Sequence, residues 1–319
     1  MSPSTTARSQ PSATPIWAAI HTPFLATGEL DLAGLRRNVG SYRALGLDGV
    51  FCNGLMGEVW SLTADERKTI AETIVDAAEG RLGVSCVISS SSLPETLELG
   101  EHAKRIGVTH AVLMVPTAGP RSDEQMFAYF RHICQRLDMP IAIFNAATAA
   151  GSPLTPALFA RLCQLPGVKL LKTTAYGKDN AALRSAAGNG VLVSDPLEEH
   201  FLVNRCEHGQ SILYADPEPY LYQTVSSRPI ADYVALIDAG EQALAARKFE
   251  ALAALRRVFN KWIMDPLIRG HMPNAALKHW CDLIGLVGGH VRIPVMALSD
   301  DEKRALAADL EQCHAPGLH

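Results

Sequence analysis

Residues 49–88 read GVFCNGLMGEVWSLTADERKTIAETIVDAAEGRLGVSCVI, and the fold follows from how this stretch is divided. Gly49–Cys52 and Gly83–Ile88 are near-continuous apolar runs, the pattern of parallel strands covered on both faces. Between them, Thr63–Ala78 has the spacing of an amphipathic helix. It opens on Thr63-Ala64-Asp65-Glu66, a capping box that satisfies two orphan N–H groups and so marks a helix start. Strand, loop, helix and strand make one β/α unit.

Working outward, the unit recurs. The spacing predicts strands at Ile16–Ile20, Gly49–Cys52, Gly83–Ile88, Ala111–Met114, Ile141–Phe144, Lys169–Thr173, Val191–Ser194 and Ser211–Tyr214. The helices between them are predicted at Leu32–Leu45, Thr63–Ala78, Pro94–Ile106, Asp123–Leu137, Pro156–Gln164, Asn180–Ala187 and Leu197–Cys206. Eight such units fit a closed (β/α)8 TIM barrel, an α/β fold, better than an open sheet. No G-x-G-x-x-G follows the first strand, and there is no phosphate-binding P-loop. A helical stretch follows at about 230–265, then helices at Asn274–Ile284 and Asp301–Gln312. The spacing in ALIDAGEQALAARKFEALAALRRVF (235–259) suggests a helical hairpin against the barrel or another subunit. The expected organisation is a disordered arm over 1–15, the barrel over 16–225 and a C-terminal helical extension over 226–319.

Composition narrows the function. The chain has 319 residues, 48% of them apolar, enough for a large core without disulfides or metals. A net charge of −4 gives no basic footprint for nucleic acid. No apolar run approaches the ~20 residues of a membrane span. Residues 1–15 are polar and lack the apolar core of a secretory signal. The seven cysteines include no C-x-x-C pair, which reads as reduced thiols in a cytoplasmic protein. No Cys/His cluster has zinc-ligand spacing, and no cofactor is expected.

In a barrel the active site lies at the carboxyl ends of the strands. One side chain stands out there: Lys172, at the end of VKLLKTT, shares a face with Leu170, whereas Lys169 points the other way. An amine facing an apolar, water-poor interior is more easily held neutral, the form that attacks a carbonyl. Lys178 belongs to the loop beyond the strand end, where water keeps an ammonium charged.

Several segments together resemble the dihydrodipicolinate synthase / N-acetylneuraminate lyase family of Schiff-base aldolases. NGLMGEVWSLTADER is similar to the family's Gly-Thr-Thr-Gly-Glu loop and the Leu-Thr-x-x-Glu-Arg that follows it. IAIFNAA resembles the strand carrying its tyrosine and Asn-x-Pro, and KLLKTT the strand carrying its Schiff-base lysine. The likeness extends from AAIHTPF to GLVGGHVRIPVMALSDDEKRAL, nearly the whole chain. It implies a TIM barrel, a small carbonyl substrate such as a 2-keto acid, and a homodimer or homotetramer.

The departures are as informative. Leu55 and Met56, next to Gly54, stand where the family has two threonines that help hold a 2-keto acid's carboxylate; main-chain N–H groups there remain available for the task. Phe144 replaces the proton-shuttling tyrosine, Ala118 a second tyrosine, and Ala149 an arginine found in some members. Glu58 matches a structural residue of the loop. The lysine is kept while its polar company is gone, which leaves two readings. One is a non-catalytic barrel that binds a small carbonyl compound or a protein partner. The other is a lyase rebuilt for a less polar substrate, by aldol cleavage or condensation or by dehydration. The second is favoured, because a bare buried lysine costs stability unless it is used or paired.

A rebuilt site needs another acid/base group. His21, by alternation with Ala19, is expected to point into the barrel, although a histidine bonded to a neighbouring loop would look the same in sequence. The catalytic positions are therefore Lys172, Phe144 and His21. Those expected to line the substrate are Gly54, Leu55, Met56, Ala118, Thr173, Ser194, Tyr214 and Asp216. Thr174 offers a further hydroxyl, Asp195 before Pro196 suits a helix cap, and Ser89–Ser92 form a hydroxyl-rich turn. His271, His279 and His290 show no metal spacing.

Overall fold

The structure, a computed structural model, describes residues 13–116, 119, 122–146, 154–174, 178–188 and 190–315. The strands are β1 (Ile16–Ala19), β2 (Gly49–Cys52), β3 (Gly83–Val87), β4 (His110–Met114), β5 (Ile141–Asn145), β6 (Val168–Thr173), β7 (Leu192–Ser194) and β8 (Leu213–Ala215). They run parallel in the order β7-β6-β5-β4-β3-β2-β1-β8, as the alternation predicts. Alternating with them are α1 (Leu32–Ala44), α2 (Ala64–Ala78), α3 (Leu93–Ile106), α4 (Asp123–Leu137), α5 (Pro156–Leu162), α6 (Lys178–Ala187) and α7 (Glu198–His208). Lys178 thus opens α6 instead of lying in a loop.

Trp17 fills the floor of the barrel. Its indole stacks on Tyr214 with ring centres 5.6 Å apart, and glycines on the next two strands make room for it. A methyl group at Gly49 or Gly83 would lie 2.3 or 2.4 Å from the indole, so no larger residue fits without shifting the plug.

The barrel closes partly through side chains. Among the described residues no backbone ladder joins β7 to β8. Ser194 Oγ instead accepts the Tyr214 N–H at 3.0 Å, and the Gln210 amide donates to the Ile212 carbonyl at 3.0 Å while accepting the Asp195 N–H at 3.1 Å. Strand β8 starts at Leu213, the residue paired with Ile16 at the start of β1, and not at Ser211.

After β8 come α8 (Glu218–Leu221), α9 (Pro229–Asp238), α10 (Gln242–Glu250) and α11 (Ala253–Phe259), a π turn at Asn260–Met264, then α12 (Asp265–Ile268), α13 (Asn274–Leu283) and α14 (Asp300–Gln312). Gly240, at φ +81°, ends α9 and splits the long helical stretch. The barrel and these helices share one apolar cluster, with Trp280 stacked on Tyr222 at 6.2 Å. At the inner end of the arm expected over 1–15, residues 13–15 are described. Thr14 is buried, and its N–H and hydroxyl both donate to Asp238, each at 2.7 Å.

Candidate active site

Lys172 lies at the penultimate position of β6, with its inward direction set by the two-residue period it shares with Leu170; Lys169 is exposed. Its side chain is 1% exposed. The ammonium sits over three rings, 5.0 Å from the centre of Phe51, 5.2 Å from Phe144 and 5.9 Å from Tyr214. Ring faces attract a cation, and these replace water as its surroundings. The lysine is not bare, however. Its Nζ donates to Asp216 Oδ1 at 2.7 Å and reaches the Ala215 carbonyl at 3.4 Å. Asp216 follows β8, and its own N–H is fixed by the Pro196 carbonyl at 3.0 Å. Glu218, two residues on, is buried. Desolvation first, then the Asp216 charge, pushes its carboxyl well above the usual range.

Lys172 and Asp216 face a cavity of about 670 Å³ over the strand ends. On the barrel side it is lined by Ala19, Phe51, Leu55, Met56, Phe144, Ala146 and Thr174. Met264, Leu267, Ile268 and Met272 from the C-terminal region form an apolar wall, and Glu199, His200, Asn260 and Asp265 add polar groups. Leu55 and Met56 belong to a tight turn in which Gly57 and Val59 N–H groups bond the Gly54 carbonyl at 3.1 and 3.2 Å. Asn274 braces the turn by donating to the Leu55 and Met56 carbonyls at 3.3 and 2.9 Å. Among the described residues neither the Leu55 nor the Met56 N–H donates to a backbone acceptor.

Of the sequence-predicted positions, the structure brings Lys172, Phe144, Leu55, Met56 and Asp216 together around this cavity. Gly54 lies beside it, against Phe51: a Cβ there would meet the ring at 2.6 Å. Tyr214 is deeper, between Lys172 and Trp17. Ser194 serves the β7–β8 seam and does not line the cavity. Thr173 faces away from it and accepts from the Asn145 amide at 3.0 Å; its neighbour Thr174 takes the lining position. Ala118 and Ala149 lie outside the described residues. Ser89 accepts the Met114 N–H at 2.7 Å, a role in the turn.

His21 is a correction. It is buried away from the cavity, with Nε2 2.8 Å from the Val287 carbonyl and Nδ1 3.7 Å from Cys281 Sγ. Strand β1 ends at Ala19, so the alternation that aims Ala19 inward does not extend two residues further. Burial lowers its pKa to about 4; the Val287 contact opposes that and the Lys278 charge adds to it. In the unfolded chain the imidazole titrates near 6.5. The folded state therefore binds this proton less readily. The stability tied to a neutral His21 is fully present above pH 6.5 and is lost as pH falls toward about 4. At about 1.36 kcal/mol per pH unit the loss approaches roughly 3 kcal/mol. Urea unfolding of the native protein should show this drop between pH 7 and 4.5, and His21→Asn should flatten it; an equal drop in both proteins would contradict the assignment.

The cavity's histidine is His200, which sequence reasoning missed. It lies in the first turn of α7, directly after a strand end, and that position was the available signal. Its Nδ1 is 3.0 Å from Asp195 Oδ2. Asp195 is 1% exposed and also accepts the Leu197 N–H at 3.0 Å; α7 begins after Leu197 with no side-chain bond to its first turn, so Asp195 does not act as the helix cap. The Asp195 contact, against the pull of burial, raises the imidazole's pKa from its ordinary value. Glu58 is structural: it pairs with buried Lys278 at 2.5 Å and accepts the Arg292 N–H at 3.0 Å. No group of His, Cys, Asp and Glu among the described residues could hold a metal ion.

An eight-stranded barrel with a buried, carboxylate-paired lysine at its strand ends defines a class of carbonyl-attacking enzymes. The model of the dihydrodipicolinate synthetase family matches residues 12–204, and the chain belongs to that family. It is similar to the 4-hydroxy-tetrahydrodipicolinate synthase of Moorella thermoacetica, 27% identical over 306 residues, which cover 93% of this chain and 97% of that one. The synthase of Methanothrix thermoacetophila is 32% identical over 157 residues, 49% of this chain and only 52% of the relative. Among solved structures, the prophage protein YagE of E. coli K12, in complex with pyruvate, superposes with a TM-score of 0.83 at 23% identity, covering 95% of this chain and 99% of that one. The chain is accordingly an aldolase-type lyase of this family.

Proposed function

We propose that Lys172 forms a Schiff base with the C2 carbonyl of a 2-keto acid-like substrate whose body is less polar than the family norm. The observation that carries this is the Lys172–Asp216 pair at the floor of a largely apolar cavity. Asp216 takes the ammonium proton, the freed amine adds to the carbonyl carbon, a second proton passes from the nitrogen to the former carbonyl oxygen, and that oxygen leaves as water once Asp216 returns the first. The carboxylate thus covers the proton traffic that a phenol at position 144 would otherwise carry. The resulting iminium draws electrons from C3, giving the enamine common to aldol cleavage, condensation and dehydration.

The substrate carboxylate is assigned to the Leu55 and Met56 N–H groups, with no hydroxyl help from those side chains. Each missing hydrogen bond to a charged group is worth about 1.5–3 kcal/mol, so two weaken pyruvate by roughly a hundredfold or more. A longer apolar body regains affinity from Met264, Leu267 and Ile268. Exposed Ile293 and Met296 offer apolar surface for a homodimer or homotetramer, and no helix among the described residues is long and apolar enough to cross a membrane. With seven free cysteines, a reducing cytoplasmic setting suits the chain.

Enamine formation exchanges the C3 protons of a 2-keto acid with solvent, so proton NMR in D2O tests the proposal without the natural substrate. 2-Oxo-4-phenylbutanoate should exchange at least tenfold faster than pyruvate at equal sub-saturating concentration. Faster exchange of pyruvate would remove the less polar preference; no exchange with either acid would remove the Schiff base.

A further inference from the structure

We propose that His200 is a second catalytic residue, carrying the proton of the hydroxyl on C4 of the bound chain while Lys172 and Asp216 handle the carbonyl at C2. The proposal rests on the Schiff-base reading above and adds a division of labour to it. An aldolase-type reaction moves protons at two places, the nitrogen end and the carbon across the scissile bond. Asp216 is occupied at the first, 2.7 Å from the lysine. Phe144, lining the same cavity, has no proton to give or take at the second.

Among the described residues, three other titratable side chains line the cavity: Glu199, His200 and Asp265. Glu199 accepts from the Asn260 amide at 3.4 Å, and Asp265 is half-exposed beside Arg269 at 3.9 Å. Of these three, only His200 is oriented by a buried carboxylate. The Nδ1–H donating to Asp195 sets the tautomer in which Nε2 carries the basic lone pair. Asp195 is itself fixed by the Leu197 N–H and by the Asn204 amide at 3.4 Å, so the ring is held from behind. This is the arrangement of a general base steadied by a carboxylate.

In the cleavage direction His200 removes the C4 hydroxyl proton. The O–H electrons form the new C4=O bond, the C3–C4 pair moves to C2=C3, and the iminium π electrons settle on the Lys172 nitrogen. The products are an aldehyde and the enamine, and His200 holds the proton. In condensation the same proton returns to the alkoxide. Nothing outside the substrate and the chain is consumed.

The test uses 2-oxo-4-hydroxy-4-phenylbutanoate, which this reaction splits into benzaldehyde and pyruvate. His200→Gln should cut benzaldehyde release roughly 100-fold or more, the usual worth of a positioned base. Borohydride trapping of pyruvate on Lys172 should stay within about threefold of native, the margin set by the measurement. Asp195→Asn tests the positioning residue. The charges facing the imidazole are Asp195, Glu198 and Glu199, and removing the first should move the acid limb of the cleavage pH profile downward, which loss of packing alone would not do. Cleavage by His200→Gln at a near-native rate overturns the proposal and leaves the Schiff base standing. Joint loss of trapping and cleavage in that variant places His200 at imine formation and also overturns it. A native protein that traps pyruvate but leaves this aldol intact overturns it as well. A native protein that traps nothing removes the Schiff-base reading, and His200's part falls with it.

Discussion

Lys172→Ala is expected to abolish covalent adduct formation and turnover, and to destabilise the fold. The first effect follows from the chemistry, since no other described lysine lines the cavity. The second follows from the ion pair. A lysine without a partner in this pocket would be a burden, and its removal would help. The structure shows a partner instead, and truncation leaves the Asp216 carboxylate, 13% exposed, without the ammonium 2.7 Å away and with its charge uncompensated. Breaking one side of a buried pair costs about 3–5 kcal/mol, and access to the cavity places this case near the lower figure. Lys172→Met/Asp216→Asn should recover most of that stability while staying inactive. Lys172→Arg should be inactive but folded, because a guanidinium stays protonated and cannot attack a carbonyl. Urea denaturation of the single and double variants separates the two effects; a Lys172→Ala protein more stable than native would mean the pair contributes nothing.

The other large effect lies behind the site. Lys278 and Glu58 are both essentially unexposed, 2.5 Å apart, with the lysine also donating to the His290 carbonyl at 2.5 Å. Burial lowers the lysine's pKa and Glu58 opposes that shift, so the charged pair depends on mutual contact. Together they tie the turn that presents Leu55 and Met56 to α13 and the segment after it. Lys278→Met should cost about 3–5 kcal/mol, because it strands a fully buried carboxylate. Lys278→Met/Glu58→Gln should be closer to native than either single variant. Additive losses in that cycle, measured by chemical denaturation, would show that the two charges are not coupled.

What the sequence revealed, and what it hid, divides along physical lines. Parallel strands covered on both faces announce themselves as apolar runs, and a two-residue period is enough to aim Lys172 inward from β6. Leu55, Met56 and Phe144 were readable because they interrupt a motif at a known strand end. The same period misled at His21, which lies beyond the last paired residue of β1, where backbone direction is set by the C-terminal segment around Val287. The wall formed by Met264, Leu267, Ile268 and Met272 left no trace, since its place depends on how helices far along the chain pack over the barrel mouth. Asp216 was legible as a strand-end carboxylate but not as the partner of Lys172, because that contact joins β6 and β8 across the barrel.

The central claim is that Lys172 is the nucleophile, and site mapping after reductive trapping tests it most directly. The protein is incubated with pyruvate or 2-oxo-4-phenylbutanoate, reduced with borohydride, digested and sequenced by mass spectrometry, alongside Lys172→Ala and Lys169→Ala. The prediction is one reduced adduct on Lys172, absent from Lys172→Ala and undiminished in Lys169→Ala. An adduct on another lysine, or none with either acid, would contradict it.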